Sequence, residues 1–150
     1  MTVFEDASAI VTRYVAEPGR GRAAHSSVVV VSAVSQVEVA SAIWRKQRIG
    51  ELSPNQARVL VDAFLADVDS SGQPSPAAAV TYLAVAASTG VLDTAVTLCG
   101  VHGLRGYAAI QLASAVRARA VDATLTELVT YDVALHRAAA AEGFRVNPLN

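Results

Sequence analysis

The sequence is poor in the residues that small proteins use as covalent or metal-based supports. Its 150 residues include a single cysteine, Cys99, so no internal disulfide can form. The three histidines are scattered without the spacing of a zinc site. A chain of this length can bury roughly 68–70% of its unfolded surface, which is enough for a self-sufficient core. We therefore expect one domain over residues 1–150, folding in a reducing compartment.

The sequence also lacks an excess of positive or negative charge and a long uninterrupted apolar run. The formal net charge is −1, which excludes the general basic field of a nonspecific nucleic-acid binder. The longest mostly apolar stretch, 77–101, is interrupted by polar residues around Gly90 and at Asp93, so we expect no membrane span. Acids at Glu5 and Asp6 and the lack of a basic leader argue against a secretory signal. Together these features predict a cytoplasmic protein.

Short apolar runs alternate with amphipathic or alanine-rich segments along the chain. The apolar runs predict strands at 2–5, 28–31, 80–85, 127–131 and 144–146. The segments between them predict helices at 7–16, 35–48, 54–69, 89–101, 107–119 and 133–142. Ser53 and Gly143 stand at helix-cap positions, and 18–27 and 71–76 have loop composition. We expect an α/β fold with a central, mainly parallel sheet of four to five strands covered by helices on both faces.

Two of the predicted strands run directly into an aspartate. Asp6 follows the strand at 2–5, and Asp132 follows the strand at 127–131. Open α/β sheets bind their ligands at the carboxyl ends of the strands, beside helix N-termini. Both carboxylates are therefore candidate site residues.

Glu38 is a third candidate because nothing on its own helix explains it. No basic residue stands three or four positions before or after it, so a helix-surface ion pair is excluded. It lies beside the apolar stripe, where an acid needs a partner elsewhere in the fold or a metal. Three carboxylates at one sheet edge would repel one another unless hard cations such as Mg²⁺ or Mn²⁺ neutralised them. We interpret Asp62, Asp67 and Asp69, by contrast, as a solvated face.

The segments that carry these acids have an ordered pattern. They read FEDASAI at 4–10 with YVAEPG at 14–19, VEVASA at 37–42, and VTYD at 129–132. In this order and spacing they resemble the acidic segments of PIN-domain proteins, in particular the VapC toxins of bacterial toxin–antitoxin pairs. The resemblance covers nearly the whole chain.

The family's remaining acidic segment resembles LRGYAAIQLASA at 104–115, with one difference. Ala108 stands at the position where the family has an aspartate. The residues around it and the other three acids are retained. An inactivating substitution would leave this pattern, and a recent natural loss would look the same.

The resemblance implies a PIN-like three-layer α/β/α fold and a metal-dependent endoribonuclease. In this interpretation Asp6, Glu38 and Asp132 are catalytic ligands of Mg²⁺ or Mn²⁺, directly or through water. Ser8 and Thr130 are candidate supporting residues; each could instead be a helix cap or turn residue, and we favour the capping role. Losing even an outer partner of a metal typically costs roughly 10–100-fold in affinity or activity, so the chain as written is expected to be nearly inactive.

Eleven of the twelve basic residues are arginine, which suits bidentate contacts to phosphate. The candidate RNA phosphate contacts are the arginines on or near the acidic segments: Arg13, Arg20, Arg22, Arg45, Arg48 and Arg105. Among these, Arg13, Arg45 and Arg105 are the main candidates. No base-reading module is encoded, so the sequence does not identify the RNA.

The resemblance also implies a cognate VapB-like antitoxin and a homodimer. Apolar positions at Ile49, Leu52, Val59 and Leu60 could form a groove for an amphipathic antitoxin helix, but we interpret them as core.

Two alternatives remain open at this point. One is a non-catalytic PIN-like module that only binds its antitoxin or RNA. The other is an unrelated α/β enzyme, such as a haloacid-dehalogenase-like phosphatase with Asp6 as nucleophile. That enzyme needs a second aspartate two residues later, where this chain has Ser8.

Overall fold

Five strands and six helices form within the part of the chain that the computed structural model describes, residues 2–18, 20, 28–69 and 80–149. The strands are β1 (Thr2–Glu5), β2 (Val28–Ser32), β3 (Thr81–Val85), β4 (Glu127–Val129) and β5 (Arg145–Val146). The helices are α1 (Ala7–Tyr14), α2 (Ser35–Arg48), α3 (Pro54–Val68), α4 (Thr89–His102), α5 (Gly106–Val121) and α6 (Val133–Ala141). Every predicted element is present, and element ends differ from prediction by no more than one or two residues. The loop predicted at 71–76 and most of that at 18–27 lie outside the described residues.

All the described strands run parallel, in the order β3-β2-β1-β4-β5. Phe4 of β1 aligns with Val30 of β2 on one side and Leu128 of β4 on the other. The chain adds β2 and β3 on one side of β1 and later β4 and β5 on the other. The strand order therefore reverses between β1 and β4, and open α/β sheets form their ligand crevice at such a point.

Side chains of the strands alternate between two cores, one on each face of the sheet. Val3, Val29 and Val31 pack with α1, α2 and α3, whereas Phe4 and Leu128 pack with α4, α5 and α6. The expected three-layer α/β/α architecture with a parallel sheet is thereby confirmed. No helix within the described ranges is both long and apolar enough to cross a membrane.

The predicted cap residues have the expected geometry. Ser53 Oγ accepts a hydrogen bond from the Gln56 amide at 3.1 Å, and Gln56 Oε1 accepts one from the Ser53 amide at 2.8 Å. This reciprocal pair is a capping box at the start of α3. Gly143 follows α6 with φ of 85°, a conformation that side-chain-bearing residues rarely adopt.

The expectation that Asp67 belongs to a solvated face is wrong. Asp67 continues the buried stripe of α3 that includes Val61 and Phe64, and it is 6% exposed. Its Oδ2 accepts a hydrogen bond from the Tyr14 hydroxyl at 2.7 Å. Because this partner is 53 positions away, helical spacing alone could not reveal it.

The interpretation of the α2–α3 apolar positions as core is correct only in part. Leu52 and Leu60 are half-buried against the core, but Ile49 is 60% exposed and Val59 is 53% exposed. Ile49 caps the end of α2, and Val59 lies on the outer face of α3, away from the buried Ala57 and Val61.

A buried ion pair ties the end of β1 to α1. Glu5 is fully buried, and Arg13 binds it with two hydrogen bonds, Nε to Oε2 at 2.8 Å and Nη2 to Oε1 at 2.6 Å. Burial opposes the charged form of Arg13, but the hydrogen bonds and charge of Glu5 outweigh it and raise the pKa of Arg13. The guanidinium is thus engaged within the fold, which disfavours the predicted contact between Arg13 and RNA phosphate.

Removing either partner of this ion pair should destabilise the folded protein. We expect Arg13→Met to lower the free energy of unfolding by about 3–5 kcal/mol, because it leaves the fully buried Glu5 carboxylate without its ion-pair partner, and we expect Glu5→Gln to lower it as well. The double variant Glu5→Leu/Arg13→Met should recover most of this loss. Urea unfolding measures all three.

A matched control for that series is Arg145→Met. Arg145 pairs with Glu127 at the surface, with a side chain 70% exposed, so its loss should change stability by no more than about 1 kcal/mol. If the single variants at Glu5 and Arg13 were no more harmful than this control, the pair would not be a structural requirement.

Candidate functional site

Both strand-to-acid junctions are helix N-caps at the carboxyl edge of the sheet. Asp6 precedes α1, and its Oδ1 accepts a hydrogen bond from the Ala9 amide at 3.1 Å. Asp132 precedes α6, and its Oδ1 accepts one from the Leu135 amide at 2.9 Å. Aspartate is favoured here because its short carboxylate satisfies an amide that has no partner within the helix. The same local chemistry therefore brings two carboxylates to the gap between β1 and β4.

Ser8 and Thr130 connect these two junctions by supporting Asp6. The Ser8 hydroxyl donates to Asp6 Oδ1 at 2.7 Å, and the Thr130 hydroxyl donates to Oδ2 at 2.9 Å. Ser8 Oγ in turn accepts from the Tyr131 amide, and Thr130 Oγ1 from the Asp132 amide. Thr130 makes a local turn, but neither hydroxyl is the helix cap that we expect. The caps are the aspartates themselves, and both hydroxyls act on Asp6.

The surroundings of the Asp6 carboxylate disfavour its charged form. The residue is 5% exposed. Burial raises its pKa from 3.8 to about 6, although hydrogen bonds from Ser8, Thr130 and Ala9 oppose the rise and the charge of Glu38 adds to it. A cation in contact with this group would relieve the unfavourable charge.

Glu38 lies in the first turn of α2 and has a partner that the sequence did not reveal. Its Oε1 accepts a hydrogen bond at 2.8 Å from Nε2 of Gln111, and the same nitrogen donates to Ser35 Oγ at 2.9 Å. Burial raises the pKa of Glu38; the hydrogen bond from Gln111 opposes this rise, and the charge of Asp132 adds to it.

Gln111 is itself an unusual residue. It is 1% exposed, and its Oε1 has no hydrogen-bond partner among the described residues. Leaving a buried polar oxygen unsatisfied costs about 1–3 kcal/mol. The only sequence signal for this residue is an amide within an apolar, alanine-rich helix, one turn after Ala108.

The three predicted acids line one cavity of about 600 Å³. Its walls also include Gln111 and Ala108, the position at which the resemblance implies an aspartate. Asp6 comes from the end of β1, Glu38 from α2, Asp132 from the start of α6, and Ala108 from the first turn of α5. Residues separated by more than 120 positions thus meet where the sheet order reverses.

The donor atoms in this cavity fit a hard cation in type but do not form a complete site. All the acidic donors are carboxylate oxygens, which Mg²⁺ and Mn²⁺ prefer. The hydrogen bonds of the described residues to these two acids go to Oε1 of Glu38 and Oδ1 of Asp132, which leaves Oε2 and Oδ2 for a cation. No group of three or more histidine, cysteine, aspartate or glutamate side chains in the described ranges is, however, arranged to hold a metal ion.

The predicted arginines are distributed around the site in different ways. Arg105 lines the cavity that contains the acids. Arg45 lines a neighbouring cavity of about 450 Å³ that shares Glu38 with the first. Arg20 pairs with Glu17 and stands over the Tyr131 ring. Arg48 is exposed at the end of α2, and Arg22 lies outside the described residues.

Comparison with known proteins supports the fold and no more. No protein-family model matches the sequence, and no curated protein matches it. The crystal structure of PAE2754 from Pyrobaculum aerophilum is similar, with a TM-score of 0.57 and 18% sequence identity. The similarity covers 97% of this chain and 83% of that one. At this identity the likeness extends to the arrangement of strands and helices only.

The raised pKa of Asp6 predicts a specific pH dependence of stability. Between pH 3.8 and about 6 the folded protein holds this proton more tightly than the unfolded chain, so stability present below pH 3.8 is lost as pH rises through 6. At about 1.4 kcal/mol per pKa unit, the loss is on the order of 3 kcal/mol. The free energy of unfolding of Asp6→Asn, taken relative to that of the unsubstituted chain, should therefore rise by about 3 kcal/mol between pH 3.5 and pH 7.5. Urea unfolding at the two pH values measures this difference.

Asp62→Asn is the matched control, because Asp62 is an exposed acid of α3. Its stability relative to the unsubstituted chain should change little over the same range. A difference for Asp6→Asn that stays constant with pH would contradict the raised pKa.

Proposed function

We propose that this chain is a VapC-like, PIN-domain endoribonuclease that depends on Mg²⁺ or Mn²⁺, and that Ala108 leaves it nearly inactive. One observation carries the proposal. Ala108, the position where the family has an aspartate, lines the same cavity as Asp6, Glu38 and Asp132. A carboxylate at 108 would join an existing set of three.

Asp6, Glu38 and Asp132 are the residues that would hold the cation. When bound, it would activate a water and stabilise the charge that develops on the phosphodiester during hydrolysis. The chain's own contribution is orientation. Ser8 and Thr130 fix both oxygens of Asp6, and Gln111 fixes one oxygen of Glu38. Such fixed donors need little reorganisation during the reaction.

The RNA would approach across the mouth of the cavity, where Arg105 supplies a cation for a phosphate. Arg45 lies in the cavity on the other side of Glu38 and would contact a further phosphate. This arrangement supports backbone recognition and leaves the RNA sequence unspecified.

A non-catalytic module remains the second candidate, because the described residues contain no ready metal-ligand group and Ala108 removes one carboxylate. The phosphatase alternative requires a second carboxylate where Ser8 stands, and Ser8 instead donates to Asp6.

We also propose the partners and location that the resemblance implies. These are a VapB-like antitoxin, a homodimer and a cytoplasmic setting. The exposure of Ile49 and Val59 beside the half-buried Leu52 and Leu60 supports a surface for an amphipathic antitoxin helix.

The Ala108→Asp variant tests the catalytic proposal directly. We expect it to cleave single-stranded RNA in Mg²⁺ or Mn²⁺ at least about 10–100-fold faster than the unsubstituted chain, because it restores the missing carboxylate. Chelation with EDTA should abolish the activity, and Glu38→Gln in the same background should remove it. Cleavage of a labelled RNA measures each rate.

Ala120→Asp is the matched control, since it adds the same charge to an exposed position of α5 outside the cavity. It should leave the rate unchanged. If Ala108→Asp were inert at every metal concentration, the non-catalytic module would be the better account.

Arg105 provides a separate prediction about RNA binding. Without divalent metal, Arg105→Gln should weaken binding of a short single-stranded RNA and reduce the slope of log affinity against log salt by about 0.7, the value for one lost phosphate contact. Fluorescence anisotropy over a salt series measures both quantities. Arg58→Gln, on the exposed face of α3, is the control and should change neither. An unchanged slope for Arg105→Gln would remove Arg105 from the RNA path.

A further inference from the structure

Gln111 lies at a junction between the two helical layers. Its helix, α5, packs on the core that contains Phe4, whereas α2 packs on the core that contains Val3. The Gln111 amide nevertheless reaches Glu38 and Ser35, which are 73 and 76 positions away in the chain. This side chain therefore links the layers at the cavity that contains the acids.

The orientation of this amide is set by the Glu38 carboxylate. The two hydrogens of Nε2 go to Glu38 Oε1 and Ser35 Oγ, so the nitrogen is fully used. The opposite orientation would turn Oε1 toward the carboxylate, where two acceptors would repel. The observed orientation instead leaves Oε1 buried without a partner among the described residues. A buried unsatisfied oxygen is uncommon in native proteins and calls for an explanation.

We propose that Gln111 is a positioning residue that holds Glu38 for cation binding, an inference that rests on the proposed function. By binding Glu38 Oε1, it restricts the carboxylate so that Oε2, which accepts no hydrogen bond from the described residues, is left for the cation. The unsatisfied Oε1 of Gln111 is the consequence of this arrangement. Substituting a residue that orients a metal ligand in this way typically costs about 10–100-fold in metal affinity or activity.

The test uses Gln111→Met in the Ala108→Asp background. Methionine has a similar length and is apolar, so it removes the hydrogen bond to Glu38 and the unsatisfied oxygen together. We expect the urea midpoint to stay the same or rise, while the dissociation constant for Mn²⁺, measured by electron paramagnetic resonance, increases about 10-fold or more. A purely structural role would lower the midpoint.

Ser35→Ala in the same background provides the opposite combination. It removes the other acceptor of the amide and leaves the bond to Glu38 in place, so the urea midpoint should fall while Mn²⁺ affinity is retained. Gln36→Met, an exposed glutamine of the same helix as Glu38, is the matched control and should change neither.

The Mn²⁺ affinities of these variants separate the role of Gln111 from the proposed function itself. If Gln111→Met leaves Mn²⁺ affinity unchanged, or lowers it only together with the urea midpoint, the positioning role is overturned and the proposed nuclease stands. If the Ala108→Asp chain itself binds no Mn²⁺, the metal site of the proposed function is overturned, and the role of Gln111 with it.

Discussion

Burial of the Asp6 carboxylate at the end of β1 determines how the groups around it are arranged. Hydroxyls of Ser8 and Thr130 and the amide of Ala9 surround its two oxygens, and they come from both sides of the point where the strand order reverses. These bonds join α1 to the end of β4. Burial still raises the pKa of Asp6 to about 6, because these hydrogen bonds only partly compensate for the loss of water around the charged carboxylate.

A second hydrogen-bonded connection, between helices α5 and α2, lines the same cavity. Gln111 of α5 binds Glu38 of α2, and one turn earlier on α5 Ala108 faces the same space. The two helical layers therefore meet at the acids, and a side chain added at 108 would enter a cavity whose other walls are already ordered. Buried polar contacts of this kind are expected where function, rather than stability alone, selects the residues.

Local chemistry explains which parts of this structure the sequence could predict. The alternation of apolar runs and helical patterns predicted the layers and every element, and the strand-then-acid junctions predicted Asp6 and Asp132 correctly as neighbours of the crevice. The partners could not be predicted, because Gln111 and Glu38, or Tyr14 and Asp67, are far apart in the chain and meet only through tertiary packing. The pairing of Glu5 with Arg13 is local, eight positions apart, but its burial is not visible in the sequence.

We propose that Asp6, Glu38 and Asp132 form a cation site that lacks one ligand. Anomalous diffraction from crystals of the Ala108→Asp variant soaked in Mn²⁺ tests it most directly. We expect an anomalous peak in the cavity, coordinated by oxygens of these three residues and of the carboxylate introduced at 108. The absence of a peak there, or a peak bound only by other residues, would contradict it.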